Sequence, residues 1–136
     1  MKIVIDTNVI MAGLLKESFV RKILMSKNIE FFIPKYALQE ITKYSKYLIK
    51  KSRSNKEDFT FVLNSLLENI KIVPKNLINP HMDKADLIMK KIDLNDSVFL
   101  ATCFGIGADG IWSFDKHFKK QKEIKVFDIE EVNTNV

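Results

Sequence analysis

Lys2-Ile3-Val4-Ile5-Asp6-Thr7-Asn8 is the stretch on which the fold turns. Three aliphatic β-branched residues follow one another with Lys2 at their margin. The run is too short for a helix and has no polar alternation, which fits a parallel strand covered on both faces. It then stops at a carboxylate. In an open parallel sheet, ligands bind outside the carboxyl ends of the strands. Asp6 stands at such an end.

Working outward, Asn8 is a good N-cap for a helix begun by Val9, Ile10, Ala12 and Gly13 and broken near Glu17 and Ser18. Phe19, Ile23 and Leu24 continue a second stripe to about Met25. Phe31-Phe32-Ile33 reads as a second strand, and Pro34 suits the first position of the next helix. From Lys35 to about Lys51, Ala37, Leu38, Ile41, Tyr44 and Leu48 recur at helical spacing. After a polar break at Ser52 to Asn55, Phe59, Val62, Leu63, Leu66 and Leu67 mark another helix. Ile70 to Val73 is a third strand, stopped by Pro74.

Asn79-Pro80 opens a helix through Ala85, Leu87, Ile88 and Met89. Asp93 or Asn95 caps a helix through Val98, Leu100 and Cys103 that ends at Gly105 and Gly107. Ile111-Trp112-Ser113 is a fourth strand, Asp115 to Gln121 a short helix, and Lys125-Val126-Phe127 a fifth strand. Short strands alternating with helices predict one three-layer α/β/α domain over residues 1–136, with a mostly parallel central sheet of about five strands.

At 136 residues and 46% hydrophobic content, one domain can bury about two-thirds of the surface its unfolded chain exposes. The net charge of +5 fits an anionic partner such as nucleic acid without requiring one. Cys103 is the only cysteine, so an intrachain disulfide is excluded. No apolar run approaches the length of a membrane span and no secretory leader is evident, so a cytoplasmic protein without membrane contact is expected.

The strand-then-aspartate pattern occurs twice, at Asp6 and at Asp115. Glu40 shares a helical face with Ala37, Ile41 and Tyr44, and Asp96 precedes Phe99, Leu100 and Cys103 at helical intervals. Each acid alone has an ordinary explanation. Asp93 and Asp96 suit a helix start and Asp115 a cap, while Glu40 can pair with Lys43. Convergence changes the balance. Two carboxylates about 4 Å apart repel by roughly 4 kcal/mol at an effective dielectric of 20. Several such pairs rival a whole domain's stability of about 5–15 kcal/mol. A divalent cation relieves all of them, and oxygen donors suit Mg²⁺ or Mn²⁺. Zinc is disfavoured, since His81, His117 and Cys103 are the soft donors and none stand at ligand spacing.

Asp6-Thr7-Asn8 after the first strand, Glu40 on the helix after the second, Asp93-x-x-Asp96-x-x-Phe99-Leu100-Ala101, and Ser113-x-Asp115-x-x-Phe118 together resemble a PIN domain. The resemblance spans nearly the whole chain. It implies a metal-dependent endoribonuclease in which Asp6, Glu40, Asp96 and Asp115 hold Mg²⁺ or Mn²⁺, with Asp93 as an additional acid. Thr7, Asn8 and Ser113 match polar positions that brace the carboxylates, serine replacing the commoner threonine. Asp6 and Asp96 are then central ligands, and Glu40 and Asp115 ligate directly or through water. Such a metal activates water and neutralises charge in an in-line displacement at phosphorus.

Lys43, Lys46, Lys50, Lys51 and Arg53, with Lys116, Lys119 and Lys120 beside Asp115, are candidate RNA contacts, although lysines are ordinarily just solvated. Tyr36, Tyr44 and Tyr47 can stack bases or pack between helices. The resemblance extends to VapC-like toxins, which form homodimers and are silenced by an antitoxin peptide. Alternatives are an RNA-processing nuclease without an antitoxin and a PIN fold that binds RNA or protein without cutting. An aspartyl phosphatase of the haloacid-dehalogenase type would need a second aspartate where Asn8 stands.

Overall fold

Ile3, Val4 and Ile5 have no exposed surface, although successive side chains on a strand point to opposite faces. Both faces of the first strand are therefore covered, as the sequence predicts. A computed structural model describes residues 1–15 and 18–136. The strand is β1 (Lys2–Ile5), followed by α1 (Thr7–Leu14), α2 (Phe19–Leu24), β2 (Glu30–Pro34) and α3 (Lys35–Lys43). Next come α4 (Ser45–Ser52), α5 (Lys56–Leu67), β3 (Ile70–Val73), α6 (Lys75–Ile78) and α7 (Met82–Met89). The chain finishes with α8 (Ser97–Ile106), β4 (Gly110–Trp112), β5 (Val126–Phe127) and α9 (Ile129–Asn133).

The strands form one sheet in the order β3-β2-β1-β4-β5, with every pairing parallel. The chain first moves away from β1 through β2 to β3, then returns to its other side for β4. The strand order reverses between β1 and β4, and this is where a doubly wound sheet opens a crevice. Ile5 pairs with Trp112, and the backbone N–H of Asp6 bonds the Trp112 carbonyl at 3.3 Å. That register brings Asp6 alongside Ser113.

Helix α8 packs on β1, β2 and β4 and is also in contact with α6 and α7. Because it is enclosed, Phe99, Leu100, Ala101, Thr102 and Cys103 are all buried in succession. Gly107 closes it with φ +62°, the left-handed conformation that costs glycine least. A separate group of α1, α2, α4 and α5 packs together. Trp112 is fully buried, and its ring sits 6.2 Å from Phe31 and 5.9 Å from Phe114.

Several local expectations need correction. Asp6, not Asn8, caps α1: its Oδ1 accepts the Val9 N–H at 3.1 Å, and helical residues begin at Thr7. The predicted break at Glu17 lies outside the described residues, and Ser18 caps α2. The single helix from Lys35 to Lys51 is two helices, divided at Tyr44. The division leaves Tyr44 and Tyr47 44% and 60% exposed, so neither packs in the core. The helix assigned to Asn79-Pro80 starts earlier, at Lys75 after Pro74, and passes through a 3-10 turn at Asn79–His81 before α7. Leu87, expected on the apolar stripe, is 75% exposed.

The segment after Asp115 is a 3-10 helix over Lys116–Lys120. Helix α9 was not anticipated, although Asp128 and Glu131 form a reciprocal capping box at its start.

Candidate functional site

Each candidate acid comes from a different local device. Asp6 ends β1 and caps α1. Glu40 lies in α3, directly after β2. Asp93 caps a 3-10 turn, Leu94–Asp96, that carries Asp96 into the start of α8. Asp115 follows β4 and caps the 3-10 helix Lys116–Lys120. These devices meet at the crevice between β1 and β4. Asp6, Thr7, Asn8, Glu40, Asp96, Phe99 and Asp115 line one cleft of about 70 Å³.

The carboxylates are held by neutral donors. The Ser113 hydroxyl donates to Asp6 Oδ2, and Ser113 Oγ itself accepts the Asp115 backbone N–H at 2.9 Å. Thr7 donates its hydroxyl to Glu40 Oε1 at 2.5 Å. Glu40 makes no ion pair with Lys43 among the described residues. Asn8 is exposed and borders the cleft through its position in the first turn of α1.

Electrostatics records the crowding. Burial pushes the Asp6 carboxyl above its usual range, against the hydrogen bonds from Ser113, Val9 and Asn8, and Asp115 adds to the rise. Asp96 is pushed up to about 6, by burial first and then by Asp93, Asp115 and Asp6, with His117 opposing. Its Oδ2 is buried and has no hydrogen-bond partner among the described residues. Tyr36, one turn before Glu40, packs edge-on to Phe99 at 6.4 Å between ring centres. Its hydroxyl is raised by burial and by the Glu40 carboxylate.

An acid-lined cleft with an orphaned buried carboxylate oxygen fits a hard divalent cation. Asp6, Glu40, Asp96 and Asp115 have oxygens available to hold one, with Asp93 at the margin.

The family of PIN domains matches residues 4–134. This chain belongs to the PIN-domain family. No curated protein matches it. The PIN fold extends to a solved structure, "Crystal structure of VapBC2 from Rickettsia felis bound to a DNA fragment from their promoter". That likeness has a TM-score of 0.68 and covers 94% of this chain and 98% of the other, at 17% identity. It is a likeness of fold. Among the described residues, no helix of this PIN domain is long and apolar enough to cross a membrane.

The basic candidates are arranged differently from the acids. Lys43, Lys46, Lys50, Lys51 and Arg53 are exposed along α3, α4 and the turn after it, and none lines the cleft. Lys43 and Lys51 lie over the rings of Tyr44 and Tyr47, at 5.5 and 5.7 Å from their centres. Lys116, Lys119 and Lys120 are exposed on the 3-10 helix that begins beside Asp115.

His117 is the residue that sequence reasoning passed over. Its Nδ1 lies 3.4 Å from Asp115 Oδ1 and 3.7 Å from Asp93 Oδ2. Linear spacing excluded it as a ligand, yet the turn capped by Asp115 brings it back to the acids of another segment. The usable signal was its position two residues after a strand-end aspartate. Cys103 is buried and free, its thiol pushed upward by burial, and it takes no part in the cleft.

Proposed function

We propose that this PIN domain is a Mg²⁺- or Mn²⁺-dependent endoribonuclease. One observation carries the reading: four carboxylates from segments far apart in sequence line a single cleft where the strand order reverses. The Asp96 carboxyl, raised by burial first and by its acidic neighbours second, supports a cation's place in that arrangement. Asp6 and Asp96 are assigned as central ligands, Glu40 and Asp115 as direct or water-bridged ligands, and Asp93 as an additional acid.

A cation held by these carboxylates would supply an activated water and neutralise charge at the scissile phosphate. The chain's own residues orient that chemistry. Ser113 fixes the Asp6 carboxylate, and Thr7 fixes Glu40. Asn8 borders the cleft at the opening of α1, where a polar side chain can meet the substrate. Lys116 and Lys119 flank Asp115 on the exposed side, with Lys43, Lys46, Lys50 and Arg53 as a second basic surface for the RNA backbone.

The test is cleavage of single-stranded RNA by the full chain with Mn²⁺, with EDTA, and with Asp6→Asn. Activity that requires the metal and Asp6 supports the reading. Metal-independent or absent cleavage favours a PIN fold that binds without cutting.

The likeness to VapBC2 over almost the entire length of both chains favours a toxin of a toxin–antitoxin pair over a general RNA-processing enzyme. In this reading the chain is a cytoplasmic homodimer whose cleft is closed by an antitoxin peptide. Inhibition of RNA cleavage by the purified product of an adjacent small gene would support it. Unaltered cleavage would return the general RNA-processing role.

A further inference from the structure

At the margin of the acid cleft, Asp93, Asp96 and His117 present ligand atoms that all lie within 4.8 Å of one another. We infer that His117 supplies a nitrogen ligand to a cation held with Asp93 and Asp96, giving the centre a preference for Mn²⁺ over Mg²⁺. The inference rests on the metal-dependent reading above and adds a donor type that the four carboxylates lack.

Three features of the geometry point to ligation. Although the His117 side chain is 44% exposed, its Nδ1 is closed to solvent and makes no hydrogen bond among the described residues. Its separations from Asp115 Oδ1 and Asp93 Oδ2, 3.4 and 3.7 Å, exceed the usual N–H···O range of about 2.7–3.2 Å. Neighbouring ligands around a six-coordinate ion with bonds of about 2.1 Å stand roughly 3 Å apart, so a small contraction would close this group on a cation.

The supporting bonds hold these residues from behind. Asp93 Oδ1 accepts the Asn95 backbone N–H at 3.0 Å, leaving Oδ2 on the His117 side. The backbone N–H of His117 bonds Asp115 Oδ1 at 2.9 Å, which fixes where the imidazole starts. Asp96 Oδ2 is buried without a partner among the described residues. Two capped 3-10 turns, one before α8 and one after β4, thus deliver three donors to one place.

Donor chemistry sets the preference. Mg²⁺ favours oxygen and parts reluctantly with its water. A neutral imidazole nitrogen strengthens binding of first-row transition ions. The competing reading is a plain ion pair between an imidazolium and its acidic neighbours, and it predicts no bond between nitrogen and metal.

The experiment uses the full chain and Mn²⁺ alone as the probe. Pulsed electron paramagnetic resonance reads ¹⁴N coupling to Mn²⁺, and calorimetric titration compares Mn²⁺ with Mg²⁺ in wild type, His117→Ala and His117→Gln. We expect ¹⁴N coupling in wild type and its loss in both variants. Mn²⁺ affinity should fall about 10–100-fold, the range seen when groups around a metal are removed, with much less change for Mg²⁺. His117→Gln keeps a polar side chain of similar reach, so its agreement with His117→Ala separates lost ligation from lost bulk.

Coupling that survives in His117→Ala, or equal weakening of the two ions, would overturn the inference. Mn²⁺ bound by wild type without ¹⁴N coupling overturns it too, while leaving the metal-dependent reading intact. Failure of wild type to bind either ion overturns both.

Discussion

Replacing Asp96 with asparagine should stabilise the protein in the absence of metal and remove its response to metal. The carboxyl titrates at about 6 in the folded protein against 3.8 for an unperturbed aspartate. A folded-state value above the unfolded one means that ionisation costs stability. The cost is absent below pH 3.8, grows as the pH rises toward 6, and is complete at neutral pH. At 1.36 kcal/mol per pH unit it amounts to about 3 kcal/mol. Asp96 is only half-buried, so solvent screening reduces this to about 1–2 kcal/mol.

For 136 residues, an unfolding entropy of about 2.1 cal/mol/K per residue turns that range into roughly 3–7 °C in melting temperature. The assay is calorimetric melting in EDTA at pH 7.5 and near pH 4, then with Mn²⁺ at pH 7.5. Asp96→Asn should melt above wild type in EDTA at pH 7.5, and the gap should close near pH 4. Saturating metal stabilises whatever binds it, by about 2.7 kcal/mol at a hundred times Kd, so Mn²⁺ should reverse the order. A variant that melts below wild type in EDTA at pH 7.5, or a gap independent of pH, would refute the electrostatic reasoning.

Other consequences follow from individual contacts. Ser113→Ala releases the Asp6 carboxylate and should lower metal affinity or cleavage about 10–100-fold, while Ser113→Thr, which keeps the hydroxyl, should restore it; equal defects in both would assign the loss to packing. Gly105→Ala drives a Cβ into the Leu77 carbonyl where α8 meets α6, and should cost about 1–3 kcal/mol in denaturant unfolding. Lys116→Gln and Lys119→Gln should each flatten the salt dependence of single-stranded RNA binding by about 0.7 in the log–log slope, with cleavage rates at saturating RNA little altered; an unchanged slope would make them solvated surface only.

The legible part of the fold was its strands. Ile3 to Ile5 and Ile70 to Val73 are bounded by an abrupt polar residue or a proline, and such punctuation survives in the structure. Helix divisions were harder to read. Tyr44 interrupts an apolar stripe that looks continuous, because the turn of the chain there answers to packing against α1 rather than to any local breaker. Asn8 has the residue type of a helix cap, yet Asp6 fills that position in α1. Asp6 both caps a helix and faces the cleft.

The acids were findable because each interrupts an apolar pattern. His117 interrupts none. Its approach to Asp93 depends on how far β4 lies from the turn before α8, a distance that no spacing in the sequence encodes.

The placement of β1 at the middle of the sheet has a consequence during synthesis. Asp6 is made 107 residues before Ser113, the residue whose hydroxyl bonds its carboxylate from the end of β4. A nascent fragment that stops before β4 cannot assemble the full set of acids. For the nuclease proposed above, the message under translation is out of reach of this cleft until β4 has been made.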